Sequence, residues 1–406
     1  MDFRETLRVA LKAIRRNKVR STLTMLGVII GVASVIAMIA LGSGARASID
    51  EQIESQGTTL IYLSSGSWNR GGGGVRGGSG TTTTLTMDDA VAVSQMTGVA
   101  QWTPVVRGRA QVVAGNQNWN TSVEGGNEDY VAVRNWVLTS GANFTSREVL
   151  SADKVCLLGA TVAKILFPDG DPTGQVIRIK NLPFRVMGVF APKGQGQWGQ
   201  DQDDFIAAPY TTIQKKLLGI TYLHQVSIAA ARSDIVEPLA VSVTQLIRER
   251  HKILNPDDDD FTVRTVEEMA QTRVQMAQTM TGLLMSVASV SLLVGGIGIM
   301  NIMLVSVTER TKEIGLRMAV GARTKDILSQ FLVEAVALST VGGLLGTILG
   351  VGVSQGLTRG LGWPTLITGT SIVVAFAFAA AVGIFFGYYP ARTAAGLDPI
   401  DALRYE

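Results

Sequence analysis

Side chains able to do chemistry are few in this sequence, and none are spaced for it. The two histidines, His224 and His251, are far apart, and no Cys–His spacing suits a metal ion. Asp257 to Asp260 sets four carboxylates in a row. Calcium loops alternate their ligands around a turn glycine, so a solvated turn is expected here instead. The one cysteine, Cys156, sits in the apolar run Val155 to Leu158 and reads as a buried small hydrophobe; alone, it excludes an intrachain disulfide. A phosphate-cradling loop needs G-x-x-x-x-G-K followed by Ser or Thr, and none is present. The glycine-rich residues 71–79 have no lysine and no helix after them. No catalytic residue, bound cofactor or metal is therefore expected. A net charge of +3 gives no reason to expect a nucleic-acid partner.

The most informative charged stretch is Thr308 to Asp326, TERTKEIGLRMAVGARTKD. It is too apolar for a plain loop and too charged to enter a bilayer. Lys312 to Met318 is predicted to form a short helix with Ile314 and Met318 on one side, and Gly321-Ala322 to permit a sharp turn. An apolar tip flanked by charge suits docking into a groove of a soluble partner. A charged hairpin that only sets topology fits the composition equally well.

Two polar residues fall inside apolar stretches. Glu334 would be costly at a bilayer centre. It is expected either to gate or link to a neighbouring helix, with Asn301 as a candidate partner, or to snorkel to the interface. Gly342, Gly346 and Gly350 recur every four residues, as close helix packing requires, and Gly295, Gly296 and Gly298 can serve likewise.

The elements that must carry these residues are apolar helices. Hydrophobic residues make up 46% of the chain and charged residues 17%, against about 25% charged for soluble domains. Four apolar stretches stand out, Leu23 to Leu41, Thr281 to Val307, Ile327 to Val353 and Ile372 to Tyr389. Each can span a hydrocarbon core, which takes about 20 residues as a helix. The first is too long for a signal-peptide core of roughly 7–15 residues and is read as a retained anchor.

Basic residues set the orientation. Arg4, Arg8, Lys12, Arg15, Arg16, Lys18 and Arg20 precede the first span. Arg310, Lys312, Arg317, Arg323 and Lys325 follow the second, and Arg392 and Arg404 follow the fourth; the loop after the third holds only Arg359. Both termini are thus expected in the cytoplasm, with the long middle segment outside. The expected order is an amphipathic cytoplasmic-face helix at 1–20, spans at 21–43, 279–307, 327–356 and 371–389, and an extracytoplasmic domain at 44–278. A cytoplasmic loop at 308–326, a short outer loop at 357–370 and a cytoplasmic tail at 390–406 complete it.

Phe3, Leu7, Ala10, Leu11 and Ile14 share one face of the first helix, with basic residues around them. In the outer domain, strands are predicted at 59–64, 104–114, 119–125, 154–158, 175–180, 183–190 and 261–263, and helices at 87–96 and 235–251. Residues 66–80 are expected to be a flexible loop. Thr265 with Glu268 three residues on is a capping box for a helix running into the second span. With the outward end of the first span, to about Ser55, it would form a helical stalk. The fold class is an α-helical membrane protein with four transmembrane helices and a large mixed α/β extracytoplasmic domain on that stalk.

The string ERTKEIGLRMAVGA, a third span with Glu334 and a glycine run, the first span GVIIGVASVIAMIALGSGA and the tail PARTAAGLDPIDALRYE resemble the FtsX-type permease of MacB-like (type VII) ABC transporters. The likeness covers essentially the whole chain. It implies a homodimer or paired permease in a bacterial inner membrane, served by ABC ATPase subunits, with ATP-driven motion passed to the outer domain for export. It makes Glu309 to Ala322 the ATPase-coupling helix, with Glu309, Arg310, Lys312, Glu313, Ile314, Gly315, Arg317 and Gly321 as its contact residues. A periplasmic adaptor protein is a further candidate partner. MacB itself carries a fused ATPase; this chain opens on the basic helix, so the ATPase is expected on a separate subunit. A regulatory FtsX-like permease signalling to an extracytoplasmic partner, and a lipoprotein-release permease, are the competing readings.

Overall fold

A computed structural model of the chain describes residues 18–56, 59–66, 82–168, 170–194 and 201–404. The expected amphipathic helix up to residue 17, and all but the first residue of the glycine-rich stretch 66–80, lie outside them. The chain divides into two compact units. One holds the described residues up to Ser48 and from Val274 onward, the other Ile49–Arg273. Helix α1, Lys18–Gln56, begins in the first.

The middle unit is built on a sheet of strands β1 (Leu60–Ser65), β2 (Val99–Ala114), β3 (Gln117–Gly126), β4 (Leu138–Gly141), β5 (Val155–Leu158), β6 (Val176–Ile179), β7 (Leu182–Phe190), β8 (Phe205–Pro209), β9 (Gln225–Ala230) and β10 (Phe261–Thr265). Their order is β10-β1-β9-β2-β3-β8-β5-β7-β4, with β6 against β2 and β7. The long β2 joins the two halves. Its first part pairs with β9, and from Val106 onward it pairs with β3. The β6–β7 turn is tight because Lys180 and Asn181 both adopt positive φ, 45° and 70°, the geometry of a two-residue hairpin loop.

Helices α2 (Met87–Ser94), α3 (Tyr130–Val133), α4 (Ser146–Ser151), α5 (Ala160–Leu166) and α6 (Val236–His251) complete the unit. α2 starts at a capping box: Thr86 Oγ1 accepts from Asp89 N, and Asp89 Oδ2 accepts from Thr86 N at 3.0 Å. α6 buries Val236, Leu239, Val243 and Ile247, one face at helical spacing. A second core gathers Tyr130, Phe144, Phe190 and Phe205, with the Trp136 ring 5.2 Å from both Phe190 and Phe205. Each such ring contributes about 1.5–3 kcal/mol by leaving water. Cys156 is buried in the main core, and burial pushes its thiol well above the usual range, so it is inert.

The other unit is helical. α7 spans Val266–Glu309, α8 Thr311–Ala319, α9 Thr324–Leu361, α10 Gly369–Ala395 and α11 Pro399–Arg404. Four helices, at Met25–Glu51, Val266–Glu309, Thr324–Leu361 and Gly369–Ala395, are long and apolar enough to cross a membrane. α7 opens on its capping box: Glu268 N donates to Thr265 Oγ1 at 3.0 Å and Thr265 N to Glu268 Oε2 at 3.1 Å.

Glycines let these helices touch through backbone. A Cβ on Gly27 of α1 would stand 2.7 Å from the Gly295 Cα of α7. Along α9, a Cβ on Gly342 would meet Val28, on Gly346 the Ile29 carbonyl oxygen at 2.8 Å, and on Gly350 that of Ala33 at 3.0 Å. The glycine run of the third span therefore packs on the first. Gly296 packs on Phe386 of α10, whereas no described residue lies within 4 Å of a Cβ on Gly298. In lipid, where apolar burial drives nothing, such contacts hold the bundle through van der Waals packing.

Candidate functional site

Arg310 ends α7 with a non-helical ψ of 13° and starts α8. Thr311 Oγ1 donates to the carbonyls of Thr308 at 2.9 Å and Val307 at 3.1 Å, closing the join. After α8, Gly321 adopts φ +107°, which a side chain would strain. Arg323 N then donates to Asp326 Oδ2 at 3.1 Å and α9 begins. The charged stretch is thus a short helix held between two sharp joints.

Two arginines tie this helix to the third span. Arg310 Nη1 donates to Glu334 Oε2 at 3.2 Å. Arg317 Nη1 donates to Gln330 Oε1 at 3.1 Å, and its Nη2 to Glu313 Oε1 at 2.5 Å. Gln330 and Glu334 are four residues apart on α9 and only 4% and 6% exposed. Glu334 therefore neither snorkels nor meets Asn301, which is exposed on α7; its partner is Arg310. A carboxylate this buried is costly without a cation, and Arg310 supplies one.

The docking face differs from the expected one. Ile314 is fully buried, and Met318 packs against the bundle core, so the stripe read as an apolar tip faces inward. Gly315 is buried against Ala402 of α11. The outward face carries Leu316 and Val320, 57% and 83% exposed, with Lys312, Glu313 and Glu309 beside them. Of the expected contact residues, Glu309, Lys312, Glu313 and Gly321 are exposed, Arg310 and Arg317 brace the helix, and Ile314 and Gly315 are interior. Leu316 and Val320 were legible as an i, i+4 pair. Nothing local distinguishes their face from that of Ile314 and Met318; packing against the helical bundle decides it.

The middle unit holds two buried charge clusters. Glu124 lies 2.6 Å from Arg134, 3.1 Å from Arg107 and 2.7 Å from the Tyr130 hydroxyl. Burial pushes its carboxyl up, but Arg134 and Arg107 outweigh that and hold it below the usual range. In the other cluster, His251 Nδ1 is 2.9 Å from Asp260 Oδ1 and its Nε2 3.3 Å from Asp89 Oδ2, while Arg250 Nε donates to Asp89 at 2.6 Å. Arg248 pairs with Asp259. The aspartate run expected as a solvated turn thus supplies two ion-pair partners, Asp259 and Asp260. The first cluster ties β2 and β3 to α3, and the second braces α2, α6 and the approach to β10.

Two families match the sequence. Residues 21–246 match the MacB-like periplasmic core domain, and residues 285–399 the FtsX-like permease C-terminal domain. Among curated relatives, a macrolide export ATP-binding/permease protein MacB of Syntrophobacter fumaroxidans is 41% identical, aligning all of this chain with 64% of its own length. Its counterpart in Azoarcus sp. is 42% identical, again over all of this chain and 60% of its length. The chain therefore spans under two thirds of these relatives. Among solved structures, the periplasmic region of MacB from Actinobacillus actinomycetemcomitans aligns with 55% of this chain and 96% of its own, at 24% identity and a TM-score of 0.45.

Proposed function

The chain belongs to the MacB-like family of FtsX-type ABC transporter permeases, multi-pass proteins of the inner membrane, and on that premise we propose that it couples ATP hydrolysis to export by mechanotransmission. An ATPase outside these 406 residues binds the nucleotide and docks on α8 at the cytoplasmic face. Its closure moves α8; α7, continuous with α8's joint at Arg310, passes that motion toward the α/β unit, where substrate is driven outward. Macrolides are the first substrates to try, since the curated relatives are named as macrolide exporters.

The observation carrying this reading is the pair of arginine braces. Arg310 on Glu334 and Arg317 on Gln330 make α8 move with the spans rather than swing from flexible joints. The orientation is supported by the excess of arginine and lysine around α8 over the single Arg359 in the loop between the third and fourth spans. A second copy of the chain completes the transporter, supported by an exposed stripe along α7. Met276, Met280, Leu283, Val287, Val290, Val294, Ile297 and Asn301 recur at alternating four- and three-residue steps, the spacing of a helix seam.

The test uses the tagged chain with the ATPase that co-purifies, reconstituted in vesicles with a radiolabelled macrolide. Arg310→Gln with Arg317→Gln is expected to leave ATP turnover present while abolishing its link to macrolide movement. Unchanged ATP-driven movement in that variant would sink the coupling role. Mass spectrometry of the co-purified chains tests whether the ATPase is a separate subunit.

A further inference from the structure

The end of the chain folds back onto α8. α10 runs through Pro390 to Ala395, and Asp398 then starts α11: Ile400 N donates to Asp398 Oδ1 at 2.8 Å and Ala402 N to the Asp398 carbonyl at 2.9 Å. α8 and α11 touch where neither carries more than a methyl group. A Cβ on Gly315 would stand 2.7 Å from the Ala402 Cβ, and Ala402 is buried. A contact this close fixes the two short helices as one body.

Beside that contact both helices leave apolar side chains uncovered. On α8 these are Leu316 and Val320; on α11 they are Ile400 and Leu403, 66% and 47% exposed. Exposed charge surrounds them, with Lys312 and Glu313 on α8, Asp398 and Asp401 on α11, and Arg323 at the start of α9. Apolar side chains ringed by charge have the make-up of a protein interface, an apolar centre with a polar rim. The curated relatives extend well beyond the part this chain matches and are named for an ATP-binding function, so a soluble ATPase is the partner at hand.

We propose that α8 and α11 form a single two-helix platform for the ATPase, with Ile400 and Leu403 contributing contact surface alongside Leu316 and Val320. This rests on the docking reading of α8 and adds the chain's end to it. The contact at Gly315 gives the platform its rigidity, so a side chain there would separate its halves.

The experiment compares two double variants of the full chain in lipid nanodiscs with the ATPase that co-purifies with the wild type. Leu316→Asp/Val320→Asp and Ile400→Asp/Leu403→Asp are each expected to weaken ATPase binding by at least about tenfold, which corresponds to 1.4 kcal/mol. If only the α8 pair weakens binding, the docking reading stands and the α11 contribution is overturned. If neither does, the docking reading itself fails. A second measurement avoids dependence on folding of the charged variants. A fluorophore on Leu403→Cys is expected to be shielded from an aqueous quencher when the ATPase is added. Quenching by a lipid-borne quencher, unchanged by the ATPase, would assign the patch to the bilayer and overturn the proposal.

Discussion

Arg310, at the end of the second span, donates to the Glu334 carboxylate of the third across 3.2 Å and 24 residues of sequence. Each is the other's compensation for burial. Glu334→Ala leaves a partly buried guanidinium unpaired and is expected to cost about 1.5–3 kcal/mol, the range for a hydrogen bond to a charged group. The exchange Arg310→Glu/Glu334→Arg restores the pair and is expected to recover part of the loss. Thermal midpoints in detergent check both; equal midpoints for Glu334→Ala and the wild type would mean the pair is dispensable.

The glycine contacts order a mutation series. Gly295→Ala and Gly346→Ala place a methyl group 2.7 and 2.8 Å from backbone of α1 and are expected to destabilise by about 1–3 kcal/mol. Gly298→Ala and Gly352→Ala meet nothing within 4 Å and are expected to be neutral or slightly stabilising. Detergent melts that fail to separate the two groups would refute the packing of α1 against α7 and α9.

His251 has carboxylates on both ring nitrogens, and both can be satisfied only by the imidazolium. Burial pushes its pKa down, but Asp260 and Asp89 outweigh that and raise it above 6.5. Its contribution is therefore complete below 6.5 and is lost as pH climbs through the raised value. For Asp89, burial acts upward but hydrogen bonds from Thr86, Arg250 and His251 win, so its contribution is present above 3.8 and lost as acid takes pH below that. Amide exchange in the last turns of α6 is expected to accelerate, after correction for intrinsic rates, as pH rises from about 6 to about 8 in the wild type. His251→Gln is expected to exchange faster at the lower pH and to lose that dependence. Identical profiles for the two proteins would mean that His251 does not hold the end of α6 through Asp260 and Asp89.

The α7 stripe makes a statement about pairing. Val294→Cys is expected to cross-link to the same position in a second copy in native membranes, whereas Leu345→Cys, on an exposed face of α9, is not. Asn301→Leu is expected to weaken the register of that pair, since a single polar residue in a helix seam favours one alignment. Cross-linking that is equal at both positions would make the stripe a lipid-facing surface.

How much of this was legible follows from what local sequence encodes. The spans were, because an uncharged run such as Leu23 to Leu41 has few alternatives in water. Several strands were found too; β7, with Phe184, Val186 and Phe190 inward, is an example. β4, β8 and β9 were not; β8 and β9, FIAAP and QVSIAA, are buried on both faces and carry no alternation, although β5, equally buried, was read as a strand from its apolar run. At the site, the short helix after Arg310 could be read from its charge and its glycine, yet its outward face could not. Ile314 and Leu316 are equally apolar, and only packing of the short helix against the bundle core covers one and leaves the other. Glu334's partner was hidden for the same reason: pairing across two helices is set by packing that neither helix encodes alone.

The proposal that α8 and the α/β unit lie on opposite sides of the membrane is tested most directly by labelling. The only native cysteine, Cys156, is buried and its thiol is held protonated, so it stays silent. Val320→Cys, at the end of α8, and Leu254→Cys, after α6, both replace exposed residues. With a membrane-impermeant maleimide on intact spheroplasts, Leu254→Cys is expected to label at once and Val320→Cys only after permeabilisation. Labelling of Val320→Cys from outside intact cells would leave an ATP-driven partner no access to α8 and contradict the coupling mechanism.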